Sequence, residues 1–186
     1  MQSYGAVMFG EASKRLQERA GSRAQYERLA AMGSRTDGLS ASEAEFIAER
    51  DSFYLGSVTA DGWPYIQHRG GPKGFLIALD AKTLAFADFA GNKQYISAGN
   101  FETNDRVSLF LMSYPEQARL KVIGHAHVVD AGADAALEAR VAVPGYRAKV
   151  ERVVVIDLVA FDWNCSQHIE RRWSAGELAT HRTPIV

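Results

Sequence analysis

Cysteine occurs once, at Cys165, so no internal disulfide can form. That usage fits a reducing, cytoplasmic setting. An excess of one charge is also missing: 21 basic and 22 acidic residues leave a formal net charge of −1. No global field therefore recruits nucleic acid or an anionic membrane, and any anion site must be local. No window approaches the roughly 20 apolar residues of a membrane helix. The opening stretch MQSYGAVMFGEASKRL lacks a basic n-region and a sustained apolar run, so it does not read as a signal peptide. Internal repeats, low-complexity tracts and long charge blocks are absent. So is G-x-G-x-x-G. The segment RGGPKGF lacks the full spacing of a phosphate-binding P-loop, and no helix clearly follows it. Dinucleotide and nucleotide-triphosphate readings drop out.

What remains is 186 residues with 47% hydrophobic content, enough for one domain with a real core. The first fifty residues read as helical. Leu16, Ala20, Tyr26, Leu29 and Met32 fall near helical spacing, and Gly21-Ser22 interrupts them, which suggests two short helices. GSRTDG, residues 33–38, reads as a loop. Ser40 stands three residues before Glu43, a capping-box arrangement that starts a helix over about 41–50. From Phe53 the period changes to that of strands. FYLGSVTADGWPYIQHR reads as strand, Asp-Gly turn, strand, and FLIALDAKTLAFADF as a second pair. KQYISAGNFETND is a short helix and loop. RVSLFLMSY, ARLKVIGHAHVVD and RVVVIDLVAFDW are strongly β, and ADAALEARVA is helical. The last stretch, from Asn164, looks irregular. Six or seven strands with mostly short connections fit an antiparallel sheet or small barrel, not a doubly wound sheet. The class is α+β: a helical extension over 1–50, a barrel over 51–163 and a tail over 164–186.

Two basic clusters stand at strand ends, Arg69 with Lys73 and Asn92 with Lys93. Gly70 and Gly71 leave backbone amides approachable beside the first. Arginine offers a planar fork suited to phosphate, and lysine a point charge. Asn92-Lys93 precedes a short helix, whose N-terminus favours an anion, and Ser97 lies one turn on with a hydroxyl. Trp163 and Trp173 flank Arg171-Arg172, a set that clamps a tail or covers a flat π-system. A phosphate at one end and an aromatic ring at the other describe flavin mononucleotide (FMN) or pyridoxal phosphate better than free phosphate. His125 and His127 share one strand face but lack a third metal ligand, so no metal site is assigned. Cys165 and His168 lack an orienting carboxylate and an oxyanion element for nucleophilic catalysis.

Four segments, in this order, resemble the pyridoxamine 5′-phosphate oxidase-like proteins, across about residues 45–173. They are FYLGSVTADGWPYIQHRGGPKGF, LAFADFAGNKQYISAGNFETNDRVSLFLM, ARLKVIGHAHVV and FDWNCSQHIERRW. The resemblance implies a six-stranded antiparallel split β-barrel (Greek key) and a homodimer with FMN at the subunit interface. It implies phosphate contacts from Arg69 and Lys93, with Asn92 where the family often has another arginine. Phe86 and Ala87 match strand positions bordering the flavin ring. Arg119 aligns with a position that reaches the flavin from the other subunit, Trp163 with a tryptophan near the flavin, and Arg172 lies one residue from a late arginine ligand. Two departures matter. Gly-Gly-Pro replaces the apolar run before the family's lysine, so Lys73 comes one residue early. The C-terminal Arg-Leu-His substrate motif is replaced by CSQHIERR. The expected function is therefore an FMN-dependent oxidoreductase acting on an unknown small substrate, with an electron donor such as NADH or NADPH as a possible partner. The alternatives are a non-catalytic flavin or haem module, and a true pyridoxamine 5′-phosphate oxidase. No acid or base is marked by the sequence beyond His68 and His168, whose imidazoles suit proton transfer near neutral pH.

Overall fold

The computed structural model describes residues 1–31 and 37–181. Met32 of the expected helical pattern and residues 33–36 of the expected loop lie outside them. In the N-terminal segment α1 (Tyr4–Met8) precedes α2 (Glu11–Arg19) and α3 (Arg23–Ala31), the two short helices expected on either side of Gly21-Ser22. Ser3 caps α1, its hydroxyl oxygen accepting from the Ala6 amide. That added start separates a short first helix from the second. Helix α4 (Ala41–Ala48) begins at Ser40, whose amide donates to Glu43 Oε2 at 3.0 Å. This is the Glu half of the capping box.

Seven strands follow: β1 (Ser52–Val58), β2 (Pro64–Gly70), β3 (Leu76–Asp80), β4 (Thr83–Phe89), β5 (Arg106–Ser113), β6 (Ala118–Asp130) and β7 (Val150–Trp163). Helix α5 (Ile96–Thr103) joins β4 to β5, α6 (Ala135–Val141) joins β6 to β7, and α7 (Ala175–His181) is the last element of the described residues. The last contradicts the irregular tail expected after Asn164: Glu177 accepts from the Ser174 amide and hydroxyl, a helix start hidden in a polar stretch. All pairings are antiparallel, in the order β2-β1-β5-β6-β7-β4-β3. Among the described residues the sheet has seven strands, within the six or seven read from the residues and one more than the six the resemblance implied, and it is not closed, because β3 pairs only with β4 and β2 only with β1.

The sheet nevertheless curls round one core. Leu55 and Leu109, Leu76 and Leu84, and Leu120 and Ile156 come from six different strands and are fully buried in one cluster. Phe53 on β1 stacks on Phe75 at 5.6 Å and meets Phe86 on β4 edge-on at 5.3 Å, bridging strands that are not neighbours. Phe46 and Ile47 of α4 plug the same core. A second cluster explains why β4 and β7 are apolar on both faces: Ala85, Ala87, Val153 and Val155 bury their outer side with Val141 of α6. Gly124 sits at the register shift of β6 against β7, where a Cβ would strike the Asp157 carbonyl oxygen. Only glycine allows that backbone approach. No helix among the described residues is long and apolar enough to cross a membrane.

Candidate functional site

Strand alternation puts Tyr65, Gln67 and Arg69 on one face of β2. They form one wall of a cavity of about 190 Å³ whose other wall is the turn before α5. Two side-chain bonds fix that helix. Buried Ser97 donates its hydroxyl to Gln67 Oε1 at 2.8 Å, and Asn100 Nδ2 donates to Ser57 Oγ at 2.9 Å. Lys93 and Tyr95 both adopt left-handed backbone, at φ 59° and 53°. Such a turn makes a concavity of amides, and the first amides of α5 have no partner within the helix. Tyr95, the N-cap, supplies no side-chain cap. The Asn92 side chain accepts from the Gln94 amide at 3.1 Å, holding the turn open.

The structure thus brings Arg69, Asn92, Lys93 and Ser97 together around one cavity. It also places two carboxylates there, Asp88 and Glu151. Asp88 Oδ1 accepts from Arg69 Nη1, and Asp88 Oδ2 lies 3.4 Å from Arg152 Nε. The Arg152 guanidinium covers the Tyr95 ring at 4.5 Å and pairs with Glu151 at 3.2 Å. Sequence reasoning missed Asp88, Glu151 and Arg152. A carboxylate within the apolar run TLAFADF was the available signal for Asp88. The other two depend on the pairing of Asp88 with Arg152 across β4 and β7, which no local pattern reveals.

Other candidates lie elsewhere. Gly70 ends β2, and the Gly71 amide donates to Asp51 O at 2.9 Å, so neither lines this cavity. Lys73 lines a separate cavity of about 580 Å³ with Arg50, Arg171, Trp173 and Glu177. The Glu177 carboxyl is held below its ordinary range by the Ser174 hydrogen bonds, with Lys73 and Arg50 adding to the effect. Phe86 is buried under the Arg69 guanidinium, and Ala87 faces the outer cluster. His68 is exposed beside Tyr54, and His168 is exposed with φ 63°.

Arg119, Trp163 and Arg172 gather at the opposite end of β7 from Arg152. Leu120 pairs with Trp163 in register, and the Arg172 guanidinium lies 5.1 Å from the Tyr114 ring. About 36 Å of strand contour separates Arg152 from Trp163, at roughly 3.3 Å per residue. Trp163 Nε1 donates to Glu43 Oε1 at 2.8 Å and packs edge-on against Phe46 at 4.7 Å. Burial alone would raise the Glu43 pKa, but the hydrogen bonds from Ser40 and Trp163 prevail and hold it below its ordinary value. Arg119 Nε is buried without a hydrogen-bond partner. His125 and His127 point outward, His125 Nδ1 2.9 Å from Asp105 and His127 Nδ1 3.9 Å from Asp157. No metal-binding group of three ligating side chains occurs among the described residues.

A curled antiparallel sheet with a cavity at its rim, lined by Arg69 and Lys93 together with Asp88 and Glu151, defines an α+β protein. The family model described as Pyridoxamine 5′-phosphate oxidase matches residues 39–161, most of the chain, and the chain belongs to that family. Among solved structures it is similar to HupZ of Group A Streptococcus (17% identity, TM-score 0.54, covering 73% of this chain and 100% of that one). It is also similar to a Lactobacillus delbrueckii protein named as a candidate pyridoxamine 5′-phosphate oxidase (19%, TM-score 0.53, covering 69% and 97%). A third is a conserved hypothetical protein of Mycobacterium tuberculosis (16%, TM-score 0.50, covering 76% and 96%). At these identities the likenesses show the fold alone. No curated protein matches the sequence.

Proposed function

We propose that the chain is an FMN-binding flavoprotein, a cytoplasmic homodimer that acts as an oxidoreductase on a small substrate. The observation that carries this reading is the convergence of Arg69, Lys93, Asn92 and the open start of α5 on one cavity. The residues fit a phosphate. Arg69 Nε is buried and has no hydrogen-bond partner, and Lys93 and Tyr95 hold the turn in left-handed backbone, a conformation that gathers amides around an anion. Ser97 fits differently from the sequence expectation: its proton goes to Gln67, so it positions α5 and leaves the backbone amides to meet the ligand. Bound FMN would supply the redox chemistry, while the protein supplies the phosphate grip and the ring's surroundings.

Size supports the dimer. A cavity of about 190 Å³ is smaller than the roughly 300–1,000 Å³ that holds a whole small molecule. It suits the phosphate end, so the ring must lie outside it and needs another wall. Arg119, Trp163 and Arg172 do not line the cavity of their own chain. A two-fold arrangement would bring such a remote group onto the partner's ligand. The histidines favour flavin over haem, since His125 and His127 lie outside the cavity and face carboxylates. The absent Arg-Leu-His motif argues against pyridoxamine phosphate as substrate. The test is to add FMN to the purified protein and follow flavin fluorescence. Saturable quenching that inorganic phosphate reverses supports the reading; no quenching rejects it.

A further inference from the structure

We propose that Asp88 is a built-in counter-ion that limits the affinity of the cavity for phosphate groups and so sets which anions it holds. The inference rests on the phosphate site proposed above and names the residue that tunes it. Asp88 divides its carboxylate between two arginines, Arg69 on β2 and Arg152 on β7, and all three side chains are only 13–15% exposed. A phosphate monoester carries close to two negative charges at neutral pH. Here it meets a wall where Arg69 and Lys93 stand beside Asp88 and Glu151. An incoming phosphate oxygen therefore competes with Asp88 for the Arg69 N–H groups and is repelled by a carboxylate within the same cavity.

Arg152 makes this arrangement durable. It does not line the cavity, but its Nε lies 3.4 Å from Asp88 Oδ2, an ion pair, while its guanidinium packs on Tyr95. The strained turn and the counter-ion are thus anchored by one side chain. Asparagine at position 88 keeps an oxygen that can accept from Arg69 and removes the charge. The expected consequence is an Arg69 fork held less strongly, a lost repulsion and a tighter site, not a collapsed one.

The experiment is calorimetric titration of inorganic phosphate into the full-length apo protein and into Asp88→Asn, with thermal melting as the fold check. We expect Asp88→Asn to bind phosphate about tenfold more tightly, since one charge a few ångströms away in a partly buried site acts on this scale. The dependence of affinity on salt should also steepen. Unchanged or weaker binding by the folded variant overturns the proposal and makes Asp88 a residue that merely holds Arg69. Phosphate bound by neither protein overturns it too. If Asp88→Asn does not fold, Asp88→Ser is read by the same criteria. Tighter phosphate binding in the variant, with FMN bound by neither protein, supports the counter-ion and rejects the flavin reading.

Discussion

Replacing Arg69 with alanine removes a charged donor from the cavity and one of the two arginine partners of Asp88. A hydrogen bond to a charged group contributes about 1.5–3 kcal/mol, or roughly 10- to 150-fold in a dissociation constant. The lower end applies here. Arg69 already donates to Asp88 in the free protein, so exchanging that carboxylate for a phosphate returns only the difference. We expect Arg69→Ala to weaken FMN binding about tenfold. Riboflavin, which lacks the phosphate, should bind the variant nearly as it binds the parent. Arg152 remains beside Asp88, so no carboxylate is stranded and the variant should stay folded. The assay is fluorescence titration of both flavins against both proteins. Equal losses for FMN and riboflavin, or an unchanged FMN affinity, would refute the placement of the phosphate.

Other parts of the account can be tested separately. Glu43→Gln should cost about 1–2 kcal/mol at pH 7, because it weakens the bonds from Ser40 and Trp163. The folded Glu43 pKa lies below the ordinary 4.5, so its stabilisation is complete above that pH and lost as pH falls through the lowered value. Urea melts should therefore show the gap between parent and variant closing below pH 4.5, and a gap independent of pH would contradict this. Gly124→Ala should destabilise by about 3 kcal/mol, since the new methyl meets the Asp157 carbonyl oxygen and Ile156 Cγ2. A melting temperature equal to the parent's would mean that β6 can shift at its bulge. Dilution to monomer should release FMN, and a monomer that keeps its flavin would count against a site shared between subunits.

Much of the architecture was legible because local periods decide it. The alternation Tyr65, Gln67, Arg69 and the β-branched run of β7 identify strands whatever their neighbours. Ser40 and Glu43 announced α4 for the same reason. All seven strand segments were legible, but the lack of closure was not, because whether β3 returns to β2 depends on how Phe53, Phe75 and Phe86 pack across the gap. The site divided along the same line. Lys93 and Asn92 could be found from their place before a short helix. Lys73 reads as a neighbour of Arg69 in sequence, yet the turn after β2 carries it to a different cavity. Asp88 and Arg152 meet only through the β4–β7 ladder, and the direction of the Ser97 hydroxyl is set by Gln67, thirty residues away.

The central proposal is that Arg69 from one basic cluster and Asn92-Lys93 from the other flank a site for the phosphate of FMN. It is tested most directly by gel filtration of the purified protein with added FMN, recording absorbance at the flavin bands as well as in the ultraviolet. The account requires flavin absorbance to travel with the protein at the volume of a dimer. A colourless protein peak, with all the FMN retarded at the volume of the free ligand, would contradict it.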